Sequence, residues 1–201
     1  MSLRAKALAV FLSAASTATL ASSPAKPEGR VPHGFGLGDK KGPHLDRGGP
    51  PPILATLEQI HTGEHLVLDA FSPSEDRFDA VLADRATGAE HALDPRLLLL
   101  LRALAAEHPG ARIELVSGYR SPKLNEMLRK KGHHVSSHSQ HSLGHACDFR
   151  LYPAGAEKAL DPRDVEVEIR KLGWQGGVGV YPTHDDWFVH ADVGPLRHWE
   201  N

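Results

Sequence analysis

Cysteine is almost missing from this 201-residue chain; Cys147 stands alone. One cysteine excludes an intrachain disulfide, so the fold must hold without that staple even in an oxidising compartment. A basic surplus is missing as well. Lys and Arg number 23 against 25 Asp and Glu, for a formal net charge of -2 and a pI near 6.7. Nothing in that balance argues for nucleic acid as a partner. Long hydrophobic runs are also absent. The most apolar stretch, from Ala7, is interrupted at Ser13, Ser16, Thr17 and Thr19, short of the ~20 residues a membrane span needs. The length suits one compact domain with its own core and is too small for two large ones.

What is present begins with histidine. The chain has 14, and histidine is both the commonest metal ligand and a common acid or base. The N-terminus, with Arg4 and Lys6 before the apolar stretch and small residues at Thr19-Leu20-Ala21, has the pattern of a secretory signal over 1–21. Export with cleavage leaves no stable membrane insertion and predicts a periplasmic protein. Residues 22–52 are rich in Gly, Pro and Lys and read as a flexible linker. The globular domain is expected over 53–201.

Within it, "ILATLEQIHTGEHLVLDAF" predicts two strands joined at Thr62-Gly63. A helix is expected from about Glu75. "LDPRLLLLLRALAAEHPG" predicts a helix capped by Asp94, with Pro95 at its first position and Gly110 past its end. "RIELVS" predicts a strand, and "SPKLNEMLRKKG" a second capped helix starting at Ser121-Pro122. "HACDFRLY" alternates as a strand. "DPRDVEVEIRKLG" repeats the cap logic at Asp161, and "GGVGVYP" and "WFVHADV" predict two closing strands. Strands and helices mix without regular alternation, which predicts an α+β domain.

The segment "SSHSQHSLGHACDFRL" carries the chemistry. Alternation along a strand from 145 sets Ala146, Asp148 and Arg150 on one face, and His145, Cys147 and Phe149 on the other. His145 therefore cannot easily share a site with Asp148. A turn at Leu143-Gly144 can fold His141 back toward Asp148, whereas His138, His133 and His134 are unconstrained. In "WFVHADV", His190 and Asp192 share a face. If the two strands are neighbours, Asp148 and His190 converge. Two histidines and one aspartate leave an open position on zinc, the arrangement of catalytic sites.

The same residues carry a family resemblance. Ser139-Gln140-His141-Ser142-Leu143-Gly144-His145-Ala146-Cys147-Asp148 resembles the S-x-H-x-x-G-x-A-x-D motif of the zinc D-Ala-D-Ala metallopeptidases, a superfamily shared with lysostaphin-type enzymes and hedgehog domains. Ser117-Gly118-Tyr119-Arg120-Ser121-Pro122 resembles their S-G-Y-R-S segment. "HTGE", "LDPRLLLLL", "GGVGVYP" and "FVHADVGPLRHW" are similar to the murein endopeptidase-like branch, and the likeness covers about residues 53–200. The resemblance implies His141, Asp148 and His190 as Zn2+ ligands on a central antiparallel sheet flanked by helices. It implies peptidoglycan stem peptides as substrate. The implied reaction is hydrolysis by zinc-activated water, with a carboxylate as base.

Arg120 suits a role in gripping a substrate carboxylate or a developing oxyanion. Ser139 and Tyr119 are candidates for the substrate pocket, while Trp187, Phe188 and Trp199 read as packing. One position departs from the pattern. Many relatives have an acidic residue three before the last zinc histidine, where this chain has Trp187. That leaves Asp192 and Asp186 as candidates for the base, with Asp192 preferred, assisting the zinc-bound water directly or by orienting it; the alternative is that Asp192 only fixes the orientation of a histidine ring. Three alternatives stay open: a D-Ala-D-Ala carboxypeptidase, a zinc-containing module that binds peptidoglycan without cutting it, and a His-rich periplasmic metal-binding protein.

Overall fold

Seven strands join in one sheet. A computed structural model of the chain describes residues 49–131 and 138–201. The expected signal, most of the expected linker and His133-His134 lie outside the described residues. The strands are β1 (Ala55–Gln59), β2 (Glu64–Leu68), β3 (Ala111–Ser117), β4 (Ala146–Tyr152), β5 (Gly177–Pro182), β6 (Trp187–Asp192) and β7 (Arg197–Glu200). Their order across the sheet is β2-β1-β3-β4-β6-β5-β7. The helices are α1 (Glu75–Val81), α2 (Pro95–Glu107), α3 (Pro122–Lys130) and α4 (Pro162–Lys171), and a short 3-10 turn covers Gln140–Leu143. The domain is α+β, as expected.

Local chemistry starts each helix. The side chains of Ser74, Asp94, Ser121 and Asp161 each accept a backbone N–H from the first turn, and proline opens α2, α3 and α4. Such a cap satisfies a donor that the helix itself cannot. In α2 the leucines at 97, 98, 100, 101 and 104 are all buried. They meet one face of the sheet, built from Leu57, Ile113, Leu115, Cys147, Phe149, Leu151, Val178, Val189 and Ala191, with Phe78 of α1 and Val165 and Ile169 of α4. Cys147 thus packs as a small apolar residue, on the face opposite Asp148.

The sheet is not wholly antiparallel. β1 runs parallel to β3 and β7 parallel to β5, while the other four pairings are antiparallel. The β1–β3 pairing is parallel because the chain between them must cross over through α1 and α2. β7 was not expected as a strand. Its four residues, Arg-His-Trp-Glu, show no apolar alternation, and its order comes from its neighbours. Arg170 of α4 donates to the carbonyl of Arg197, and Arg163 and His198 pair with Glu200 and Glu166.

No helix among the described residues is long and apolar enough to cross a membrane. Because Leu104 has no exposed surface, Leu104→Ala should lower unfolding free energy by about 2–5 kcal/mol through lost burial and a residual cavity. Urea denaturation followed by circular dichroism reads that loss, and Leu99→Ala, at an exposed position of the same helix, should change it far less.

Candidate metal centre

Strand register puts the first two site residues together. In the β4–β6 ladder the direct partner of Asp148 is His190, so both side chains rise from the same face of the sheet. The third arrives on the 3-10 turn. Ser139 precedes it, and Gly144 ends it with φ 70°, a left-handed conformation that glycine adopts without strain. A side chain at Gly144 would also overlap the carbonyl of Ala92. The turn therefore lies tight against the loop before α2, where Asp94 N–H donates to the Gly144 carbonyl at 2.9 Å.

The result is a triangle of atoms. His141 Nε2 lies 3.1 Å from Asp148 Oδ1 and 3.1 Å from His190 Nδ1, and His190 Nδ1 lies 2.8 Å from Asp148 Oδ1. All three residues are buried. His145, on the opposite strand face, takes no part. Its backbone instead bonds Gln140 and Val193.

Tautomers follow from the outer partners. His141 Nδ1 faces the carbonyl of Gly118 at 2.6 Å, and a carbonyl only accepts, so Nδ1 carries the proton. Burial, then the Arg120 charge, push the His141 pKa down to about 4. The ring is neutral and Nε2 offers a lone pair. Asp148 is held well below the usual carboxylate range. Burial opposes its charge, but the neighbouring His141, Arg120 and His190 outweigh burial. On the far side, His190 Nε2 donates to Asp192 Oδ2 at 3.0 Å. Burial lowers the His190 pKa, yet the hydrogen bonds to Asp148 and Asp192 raise it overall.

Three atoms able to offer lone pairs, His141 Nε2, Asp148 Oδ1 and His190 Nδ1, thus converge. A cation among them would satisfy all three at once, displacing any proton held there. The spacing suits it. Ligands ~2.0–2.1 Å from a tetrahedral zinc stand about 3.3 Å apart, a few tenths of an ångström wider than the triangle here. The residues fit a divalent metal with a fourth position left open.

Arg120 stands at the rim. Its Nη2 donates to Asp148 Oδ2 and its Nε to Ser117 Oγ at 2.9 Å, while its backbone N–H reaches the His141 carbonyl at 3.2 Å. The guanidinium is thus tied to Asp148, one corner of the triangle. The turn that carries it is fastened by Asp84, a residue sequence reasoning missed. Asp84 Oδ2 accepts Ser121 N–H at 2.6 Å, and its Oδ1 accepts Ala86 and Thr87 N–H. Its local "DRATG" pattern signals a turn, but nothing local announces the reach of 37 residues to Ser121. Gly118 belongs to the same clasp, because a Cβ there would overlap Leu82.

The other expected site residues separate. Tyr119 stacks on His91 with centroids 4.6 Å apart. Ser139 is buried, and its side chain caps nothing; its backbone carbonyl takes Ser142 N–H. Asp192 is fully buried. Its carboxylate touches His190 on the Nε2 side, away from the triangle, and also takes Gly194 N–H and Arg197. The sequence favours Asp192 as the group that assists the water; in the fold its carboxylate meets the His190 ring, the contact of a residue that fixes a histidine's orientation. Asp186 sits exposed where the β5–β6 hairpin turns, four residues from His190. That is about 13 Å from His190 along an extended strand. Trp187 donates to the Leu160 carbonyl and packs, as expected.

An aspartate-bearing strand, a paired histidine strand and a second histidine folded in by a glycine-ended turn define a metallopeptidase of the D-Ala-D-Ala superfamily. Within that superfamily, the chain belongs to the peptidase M15 family described as peptidoglycan L,D-endopeptidase MepK, whose model matches residues 52–199. A Haemophilus influenzae protein named probable peptidoglycan L,D-endopeptidase MepK is 34% identical over 159 residues, covering 75% of this chain and 81% of the relative. The Escherichia coli K12 peptidoglycan L,D-endopeptidase MepK is 31% identical over 160 residues, with the same coverage. No solved structure matches the chain.

Metal analysis after dialysis against zinc should find one ion per chain in the wild type and in His145→Ala, and essentially none in His141→Ala or His190→Ala. Asp192→Asn should keep the site but weaken metal affinity by ~10–100-fold, the usual cost of losing a histidine-orienting carboxylate. A chelator competition titration measures that.

Proposed function

We propose that this protein is an exported, zinc-dependent endopeptidase that hydrolyses cross-links between peptidoglycan stem peptides, at a bond between an L- and a D-centred residue. The observation that carries the reading is the triangle of His141 Nε2, Asp148 Oδ1 and His190 Nδ1, in a chain whose relatives are named peptidoglycan L,D-endopeptidases. The signal-like N-terminus supports export to the compartment where such a substrate lies.

A zinc ion held by the three would lower the pKa of water toward 7 and polarise the scissile carbonyl. The chain's own residues do the rest. Gly118 and Asp192 fix the tautomers of His141 and His190, so both rings present a lone pair without reorganising. Arg120, anchored through Nε on Ser117, has its Nη1 without a protein partner among the described residues. That edge is available to a substrate carboxylate or to the oxygen on which charge develops. Tyr119 and Ser139 shape the wall and turn beside it. Asp192 is a positioning residue that works through His190.

Mass spectrometry of defined cross-linked muropeptides treated with the zinc-loaded protein tests the reading. Release of monomers cut between L- and D-centres is the expected result. Loss of a terminal D-alanine alone would make the protein a carboxypeptidase, and binding to sacculi without turnover would make it a recognition module. Arg120→Lys should keep the fold and one metal per chain while lowering kcat/KM by ~10²-fold, since lysine lacks the planar fork. Steady-state kinetics with parallel metal analysis reads both.

A further inference from the structure

On the strand next to the one that carries His190 stands a group that none of the roles above uses. β5 pairs with β6 so that Gly179 is opposite His190 and Tyr181 opposite Phe188. By alternation Gly177, Gly179 and Tyr181 rise from the same face as His190. Both glycines are needed there. A Cβ on Gly177 would overlap the Asp192 carboxylate, and one on Gly179 would overlap the Trp199 ring. Trp199 of β7 thus lies flat over Gly179, its ring centroid 5.2 Å from that of His190.

Trp199 Nε1, 2.6 Å from where the Gly179 Cβ would be, donates to the Tyr181 hydroxyl at 3.1 Å. The phenol oxygen is therefore held within hydrogen-bond reach of the indole that packs over Gly179 and against the His190 ring. Its ring is fixed from the other side by Phe188, stacked at 4.4 Å and 16°. An indole N–H only donates, so it occupies an acceptor position of the hydroxyl and leaves the O–H proton free. That proton has no acceptor among the described residues. Burial raises the phenol pKa above its ordinary value; the Trp199 bond opposes that and the nearby Asp148 charge adds to it. The group stays neutral and protonated at ordinary pH.

From this geometry we infer that the Tyr181 hydroxyl donates a hydrogen bond to the oxygen of the scissile carbonyl as negative charge builds on it. The inference rests on the endopeptidase reading and deepens it. A half-buried donor whose oxygen is held by Trp199 and whose ring is held by Phe188 needs little reorganisation at the moment of reaction and acts chiefly on the transition state. Tyr181 is then a catalytic residue, and Trp199 and Phe188 position it.

The test compares wild type with Tyr181→Phe as full-length, zinc-loaded protein on a defined cross-linked muropeptide. Phenylalanine keeps the stack on Phe188 and removes only the hydroxyl. The expected result is kcat lower by ~10²-fold, with KM, melting temperature and one metal per chain unchanged. An unchanged kcat overturns the inference, as does a rise in KM alone, which would make Tyr181 a wall for ground-state binding. If Tyr181→Phe fails to fold, Trp199→Phe decides. It retains a ring over Gly179 but releases the hydroxyl, and should lower kcat several-fold at constant KM; an undiminished kcat overturns the inference. Absence of turnover in the wild type would instead refute the endopeptidase reading, so the two failures are distinguishable.

Discussion

The register between β4 and β6 is the constraint on which the rest depends. Asp148 opposite His190 places two metal-type ligands a strand spacing apart without any loop having to find them. Side chains alternate with a period of two, so a slip of one residue would send Asp148 into the apolar core and bring Cys147 or Phe149 to the site face. The core face prevents that slip. Phe149, Leu151, Val189 and Ala191 are buried against the helices, and moving them out would forfeit their burial. The hydrophobic core and the metal centre are therefore two readings of the same alternation.

Holding a buried carboxylate, two imidazoles and a guanidinium together is costly, because each charge is stripped of water. The structure meets the cost with fixed hydrogen bonds. The Gly118 carbonyl takes the His141 proton, Asp192 takes the His190 proton, and Arg120 lies on Asp148. Two further layers hold these partners. Asp84 clasps the Arg120 turn, and Arg197 with Gly194 N–H holds Asp192. The glycines at 118, 144, 177 and 179 lie where backbone, carboxylate or ring must come closer than a Cβ allows. Preorganisation here is achieved largely by small residues making room for polar ones.

Much of this was legible in the sequence, for local reasons. Caps at Asp94, Ser121 and Asp161 and the leucine run of α2 announce helices through short-range chemistry. Alternation alone separated Asp148 from His145 and paired His190 with Asp192. What could not be read is non-local. β7 is a strand because β5 and α4 hold it, not because "RHWE" favours one. The parallel β1–β3 pairing is decided by a crossover of some fifty residues. Asp84 acts on a turn 37 residues away. The orienting position of Asp192 follows from which nitrogen of His190 faces the sheet's outer strands, a matter of ring rotation that spacing does not encode. Trp199, read as packing, does pack, but what it packs is the wall of the centre.

The attachment of β7 has a consequence of its own. This edge strand supplies Arg197 and Trp199, yet part of its tie to α4 runs through an exposed ion pair, Arg163 with Glu200, beside the His198–Glu166 hydrogen bond. Pairs of that kind are screened as ionic strength rises, over a Debye length that shrinks from ~10 Å at 0.1 M to ~3 Å at 1 M. The inner contacts, with Asp192 fully out of solvent, are not. Concentrated salt should therefore loosen the outer frame of the centre while leaving its three converging atoms in register, and the protein carries a graded sensitivity to its ionic surroundings from rim to heart.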